Sequence, residues 1–446
     1  MSKIEVNTVD VQCGSTLTLG SSGKTVTLAT GASQSGFGRT GTVDWCTTAK
    51  TSPFTAVNGD GFFVNTSGGV VTVTLPSSPT AGSIIALKDY ANTWDTNAVT
   101  LCRNGSKING VCANTNLSTE SQSVTLIYVD GTKGWQDIHD STSNVSGNPG
   151  FITATGGTIT TSGDFKIHTF TSPGTFCVSN GGNACGSTSV DYMVVAGGGG
   201  GGGGEGGGSG SAVSGSGAGA GGFRESSGAA SGCYTASPLG SGVSALPVSA
   251  TGYPITVGAG GAAGPQGPPG HTGLQGSNSI FSSITSTGGG YGARGNTTGG
   301  SGGSGGGVGG GCGTGTAGAG NTPPVSPPQG QPGATNPNNS SPYGASGGGG
   351  ATAAGSQGSG GNAGNGGAGA TSSINATPTG RAGGGGGGRG NPGSVSTAVD
   401  GGGYGGSTPN SNGVANKGGG GGGANAPTTT AGVGGSGIVI IRYKFQ

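Results

Sequence analysis

Residues 197–204 are all glycine, and pure glycine returns at 347–350, 383–388 and 418–423 in a chain where 114 of 446 residues are glycine. Such runs have no side chains to bury, so the hydrophobic effect cannot hold them. Fixing a backbone costs about 1–2 kcal/mol per residue, and glycine lies at the upper end because its unfolded state is the broadest. Only main-chain contacts can offset that. A left-handed helix of three residues per turn points every N–H and C=O outward, and with glycine throughout, other such helices can approach on all sides. Lateral hydrogen bonds contribute about 1 kcal/mol net each, and Cα–H···O contacts about 0.5–1 kcal/mol. The near balance predicts a cooperative lattice of polyglycine-II type from which side chains larger than alanine are excluded.

Composition alone would equally fit a disordered linker. The flanks argue for order. VDYMVVA precedes the first glycine run and GSGIVIIRYKFQ closes the chain; both read as β-branched, apolar strands. Tyr192 to Val195 and Ile438 to Tyr443 are expected to be neighbours in one sheet, which makes the glycine-rich segment an insertion clamped at both ends.

The remaining sequence is β-like. Residues 14–38 hold two short alternating runs around a glycine turn, expected to share a narrow interior between subunits. Residues 45–140 hold strand candidates GFFVNT, VVTVTLP, SIIALKD, AVTLC, SVTLIYVD and GWQDI, with turn signals between them and no helical period. An antiparallel sandwich or barrel is the expectation, with Trp45, Trp94 and Trp135 anchoring its core or subunit contacts. The fold class is therefore all-β with little or no α-helix: β-sandwich or β-prism modules followed by a polyglycine-II-type domain bracketed by strands. The expected segments are 1–44 (a trimerising β segment), 45–142 (sandwich), 143–196 with a closing strand 437–446, and 197–436 (glycine-rich).

Bulky, charged and proline residues cluster between the glycine runs, as in FRESSG, GCYTASPLG, residues 321–344 and GGYGGSTPNSNG. Proline stiffens a loop, and Asn, Ser, Thr and Tyr offer hydrogen bonds and stacking faces for sugars. Candidate binding residues are Phe223, Tyr234, Tyr253, Tyr291, Pro323, Pro324, Asn336, Asn338, Tyr343 and Tyr404; ordinary solvated turns are the competing reading. GPQGPPGHTGLQG has glycine at every third position, the collagen period, and is too short for a triple helix by itself. It is assigned to the lattice, with Pro265, Pro268 and His271 pointing outward.

VDYMVVAGGGGGGGG, YPITVGAGG, SNSIFSSITSTGGG and GGSGIVIIRY, together with TVTLPSSPTAGSIIALKD, RNGSKING and VTLIYVDGTKGWQDI, resemble glycine-rich fibre and receptor-binding proteins of tailed phages, especially marine cyanophages. The resemblance covers most of the chain. It implies a homotrimeric virion fibre whose segment 1–44 anchors it to other virion proteins through the N-terminus and whose segment 197–436 faces the receptor, a host cell-surface glycan or outer-membrane protein. A capsid or neck decoration fibre is the alternative.

Other chemistries find little support. Charged residues are 7% of the chain and the net charge is +1, so no broad field exists to attract nucleic acid or anionic lipid. No stretch approaches eighteen consecutive apolar residues, and the first residues lack a secretory leader, so membrane insertion and secretion are not expected. GxGxxG matches abound in such a composition and none opens a helix after a strand. His139, His168 and His271 lie far apart with no ligand spacing, so no metal or cofactor is expected. The acidic pair Asp137 and Asp140 reads as surface solubility, not polysaccharide cleavage, and the chain is expected not to be an enzyme. Cysteines at 13, 46, 102, 112, 177, 185, 233 and 312 are read as thiols before bridges, with Cys102–Cys112 and Cys177–Cys185 as possible short loops.

Overall fold

A computed structural model describes residues 43–140, 150–205, 213–232, 234–267, 271–311, 314–335, 341–406, 411–425 and 429–446. The expected anchoring segment lies outside them but for residues 43 and 44. The chain divides into two compact units. Of the described residues the first takes 43–104, 117–130 and 135–140, and the second takes 105–116, 131–134 and 150–446.

Residues 43–140 hold the strands β1 (Asp44–Lys50), β2 (Phe54–Thr55), β3 (Asp60–Val64), β4 (Val71–Thr74), β5 (Ile84–Asp89), β6 (Val99–Cys102), β7 (Thr115–Leu117), β8 (Ser123–Tyr128) and β9 (Trp135–Asp140). They form sheets in the orders β1-β3-β5-β8-β9 and β2-β4-β6-β7. The antiparallel expectation is corrected here. β1–β3, β3–β5, β2–β4 and β4–β6 are all parallel, because the chain crosses to the other sheet after each strand and stacks coil upon coil. β5–β8 and β8–β9 run antiparallel. The reason is visible in GFFV and SIIAL: continuous apolar runs suit parallel strands covered on both faces, and β5 is buried at nearly every position.

Polar side chains fix the crossings. Buried Asp89 accepts hydrogen bonds from the N–H groups of Ala91, Thr93, Trp94 and Ser121, and the indole N–H of fully buried Trp94 donates to Val64 O at 3.1 Å. Trp94 and Trp135 are core residues, while Trp45 is 41% exposed.

The second unit holds β10 (Ile152–Thr155), β11 (Thr158–Ser162), β12 (Phe165–Phe170), β13 (Gly174–Gly181), β14 (Ser189–Val195), β15 (Phe223–Glu225), β16 (Leu246–Pro247), β17 (Gly252–Thr256), β18 (Ser279–Phe281), β19 (Ile284–Ser286), β20 (Ala370–Ser372), β21 (Thr379–Arg381) and β22 (Ile438–Lys444). Sheets β10-β13-β17-β18-β19 and β11-β12-β22-β14-β15 enclose one core of Phe170, Phe176, Val190, Tyr192, Val194, Phe281, Val439, Ile441 and Tyr443. The bracketing strands pair as expected: Tyr192 faces Ile441, Met193 Ile440, Val194 Val439 and Val195 Ile438. The opposite face of this pair is also covered, since Met193, Val195, Ile438 and Ile440 pack on Ala220, Phe223, Ala351, Ala370, Ile374 and Ala382. A single turn at Pro238–Gly240 is the one helical element among the described residues.

Beyond β14 the chain enters the glycine lattice, and its hydrogen bonds repeat every three residues. Gly197, Gly200 and Gly203 donate to Ser277, Leu274 and His271; Gly198 and Gly201 donate to Gly435 and Gly432; Gly199 and Gly202 donate to Gly219 and Ser216. The same run accepts with the same period. Gly289 and Gly292 donate to Gly197 and Gly200, Gly261 and Gly264 to Gly198 and Gly201, and Gly421 and Ala424 to Gly199 and Gly202. Residues 197–203 are thus ringed by three acceptor runs and three donor runs. The glycines of 197–203, 383–388 and 419–423 all lie outside the left-handed φ region, so extended backbone with this threefold period winds as the left-handed polyglycine-II helix.

Bare backbone is required here by contact. A Cβ added at Gly199, Gly201 or Gly385 would lie 2.2, 2.1 and 2.1 Å from the carbonyl oxygens of Gly290, Gly422 and Gly421. The alanine limit is too strict, however. Ser216, Ser304, Ser346 and Ser396 are fully buried within the lattice, where the hydroxyl is small enough to bridge runs. Ser216 Oγ donates to Gly307 O at 2.7 Å and accepts from Ala293 N at 2.7 Å; Ser396 Oγ donates to Gly387 O and accepts from Gly405 N, both at 2.9 Å. The collagen-period stretch is also not one helix. Gly264 closes an outgoing run, Gly267 turns with φ +114, and 271–277 return antiparallel, with Leu274 N bonded to Ala262 O.

Candidate binding surface

The hydrogen-bond register sorts the described ends of the lattice runs to one of two sides. Residues 197–203 lead away from β14, and 215–222 return to enter β15, with Gly202 N bonded to Ser216 O and Ala196 N to Gly222 O. The pattern then repeats. Residues 257–264 and 287–293 lead outward from β17 and β19, 271–277 lead back to β18, and 430–437 lead back to β22. Among the described residues, one end therefore belongs to the sheets and the other consists of connections between runs.

At that far end the described residues form a connected polar rim. Glu205 bridges Val213, which bridges Tyr343, and Arg294 Nη1 pairs with Glu205 Oε1 at 2.9 Å. Ser214 Oγ donates to Arg389 O at 2.6 Å, and Arg389 N donates to Asn425 Oδ1 at 2.7 Å. Asn425 Nδ2 in turn donates to Gly406 O. His271, Asn296, Arg389, Asn391 and Pro392 are exposed there. Polar side chains at the ends of the runs thus hold neighbouring connections in fixed relation, with Arg389 and its neighbours facing solvent.

The candidates chosen from sequence fall at both ends. Tyr343, half-buried, stands at the far end, and Tyr404 is 39% exposed on a run bonded to the 383–388 run through Gly386 N and Gly403 O. Tyr291 is half-buried within an outgoing run. Asn336 and Asn338 lie outside the described residues. Pro323 and Pro324 are exposed, but their loop is tied to the sheet end by Gln329, whose O accepts from Phe223 N and whose Oε1 accepts from Thr287 N.

Phe223, Tyr234 and Tyr253 are not exposed tips. Phe223 is 1% exposed because it pairs with Val195 in the sheet. Tyr234 packs on that same core with the Arg442 guanidinium 5.5 Å from its ring centroid, and burial pushes its hydroxyl pKa up. Tyr253 lies on β17, its hydroxyl accepting from Ser249 N at 2.9 Å. Sequence reasoning missed Glu205, Arg294 and Arg389; the available signal was that each is the first charged residue after a glycine-rich run, which is where a run must leave the lattice.

A buried polar cluster underlies the sheet end. Asp191 accepts from the hydroxyls of Ser226 and Ser231 and from Ser231 N, while Glu225 accepts from Ser237 N and the Ser372 hydroxyl. Burial raises the Glu225 pKa against the lowering effect of these donors, and burial lowers Arg381 to about 10. Every contact of this cluster is internal, and it fastens the 223–240 segment to β14. Asp137 and Asp140 both lie on β9, paired with Leu126 and Val124. Cys46, Cys102, Cys112 and Cys177 are free thiols.

A family model described as a glycine-rich domain matches residues 171–444. No curated protein matches the chain.

Proposed function

The chain belongs to the glycine-rich domain family, and from that premise we propose that it is a virion fibre whose far-end connections attach a phage to its host cell. One observation supports this reading. The buried runs of the lattice are built almost wholly from glycine, alanine and serine, with Val308 a larger exception, so chemically varied side chains are displayed mainly where runs turn, and one end is made of such turns among the described residues. A rigid support lowers the entropy cost of presenting a loop to a ligand. The ligand class is a cell-surface glycan or an outer-membrane protein, bound without catalysis.

The test replaces Arg294, Arg389 and Asn391 together by alanine in the full chain and measures binding of the labelled protein to permissive cells. Loss of binding is expected, while Pro323→Ala with Pro324→Ala, at the sheet end, leaves it intact. Equal binding by the first variant and the wild type would remove this reading. Labelling the chain in intact particles separates the capsid or neck alternative, which requires signal away from the tail.

A further inference from the structure

The inner and outer runs of the lattice satisfy their backbone by different means. Inside, main chain meets main chain: Gly384 and Gly387, three residues apart, donate to the carbonyls of Gly367 and Gly364. At the outer surface a side chain takes the place of one main-chain partner, and it does so in a fixed form. Ala363 N donates to Ser394 O, while Oδ1 of the preceding Asn362 accepts from Ser394 N at 3.0 Å. Three residues on, Gly366 N donates to Thr397 O, and Asn365 Oδ1 accepts from Thr397 N at 2.8 Å. A different pair of runs repeats the form with hydroxyls. Gly299 and Thr298 clamp Thr316, and Gly302 and Ser301 clamp Ala319, with the side-chain bonds at 3.3 and 3.0 Å. Gly413 and Asn412 hold Val433 in the same way.

Each clamp is a residue with a short side-chain oxygen followed by glycine or alanine, and the two together take both backbone groups of one residue on the next run. The clamping side chains and the residues they hold are all exposed, whereas Gly300, Gly303, Gly364 and Gly367, which complete the triplets, are buried. The clamps therefore stand at the outer limit of the lattice. TGGSGG at 298–303 and NAGNGG at 362–367 carry one order of polar, small and glycine residues. Without its clamp, each N–H at this limit would need another acceptor. Ser394 and Thr397 have the spacing of the donors on interior runs, so what fits them is the carbonyl row of another three-residue glycine helix, much as an open strand edge fits another strand. This chain is itself a source of such runs.

We propose that Thr298, Ser301, Asn362, Asn365 and Asn412 close the sides of the lattice against a second copy of this chain, so that glycine runs stack within one molecule and are not added from another. The inference is independent of what the far end binds.

The test replaces Asn362 and Asn365 together by alanine in the full chain. Amide hydrogen exchange at Ser394 and Thr397 should quicken by about fivefold, the worth of one hydrogen bond, with Gly364 and Gly367 unchanged. Refolding at rising concentration should then give species larger in sedimentation velocity than any the wild type forms. Asn362→Asp with Asn365→Asp keeps the accepting oxygens and should leave exchange as in the wild type. Thr298→Ala with Ser301→Ala repeats both measurements on the other pair of runs, reading Thr316 and Ala319, and decides the matter where the asparagine variant does not fold. Unchanged exchange at the clamped amides overturns the clamps. Quickened exchange with wild-type sedimentation at every concentration overturns their role against a second copy.

Discussion

The sandwich around Phe281 and the lattice around Gly201 are joined by the same two strands yet are held by opposite means. In the sandwich, rings such as Phe176, Tyr192 and Phe281 meet edge to face, and the backbone is spaced by what the side chains fill. In the lattice, carbonyls close directly on Cα atoms and there is nothing to fill. The difference teaches that burial and apolar content are separate quantities. Gly197 to Gly203 are as buried as Val439 and Ile441 while contributing no hydrophobic side chain.

The contrast is broken most severely by adding volume to the lattice. Gly201→Val or Gly385→Val should cost more than the roughly 1–3 kcal/mol of ordinary overpacking, because the clash is with main-chain carbonyls that cannot rotate away. Loss of amide protection across the second unit in hydrogen exchange checks this, and a melt like wild type would refute a close-packed lattice. Removing volume from the sandwich comes next. Phe281→Ala, fully buried among Phe176, Tyr192 and Tyr253, should cost about 3–5 kcal/mol, read from denaturant unfolding.

A smaller effect sharpens the comparison inside the lattice. Ser216→Gly removes the bridge between Ala293 and Gly307 and should cost about 1 kcal/mol by the same measurement, although glycine is the residue this region prefers. The mildest test is acidity. His168 is fully buried, its Nδ1–H donating to Gly156 O at 2.7 Å and its Nε2 accepting from the Tyr443 hydroxyl at 3.1 Å. Burial lowers its pKa below the ordinary 6.5. The unfolded chain therefore takes up the proton first, so stability falls as pH drops below about 6.5 and levels off under the folded pKa. Glu225, shifted upward, has the opposite sign at lower pH. Comparing wild type with His168→Gln isolates the histidine, whose removal should flatten melting temperature between pH 7 and 5.

Much of this was legible because glycine leaves so few options. The pairing of Tyr192 to Val195 with Ile438 to Tyr443 and the threefold period of the lattice both follow from chain physics. The parallel coils of the first unit were misread because strand-like residues do not state their partners, and continuous runs such as SIIAL were weighed as ordinary strands. Phe223 and Tyr234 were misplaced for a related reason: interruption of a glycine run marks a turn, but not at which end. That depends on whether the interruption falls after an odd or an even number of passes, and Arg389 and Tyr234 differ only in this.

The threefold donor pattern of residues 197–203 also constrains how this chain can change length. Inserting one residue into a run rotates all that follows by about a third of a turn, so each later N–H addresses the wrong neighbour. Triplet insertions alone keep the register, whereas the connections at the far end tolerate any number. Drift in such a gene would therefore be quantised in the interior and continuous at the rim, leaving relatives with equal runs and unequal loops.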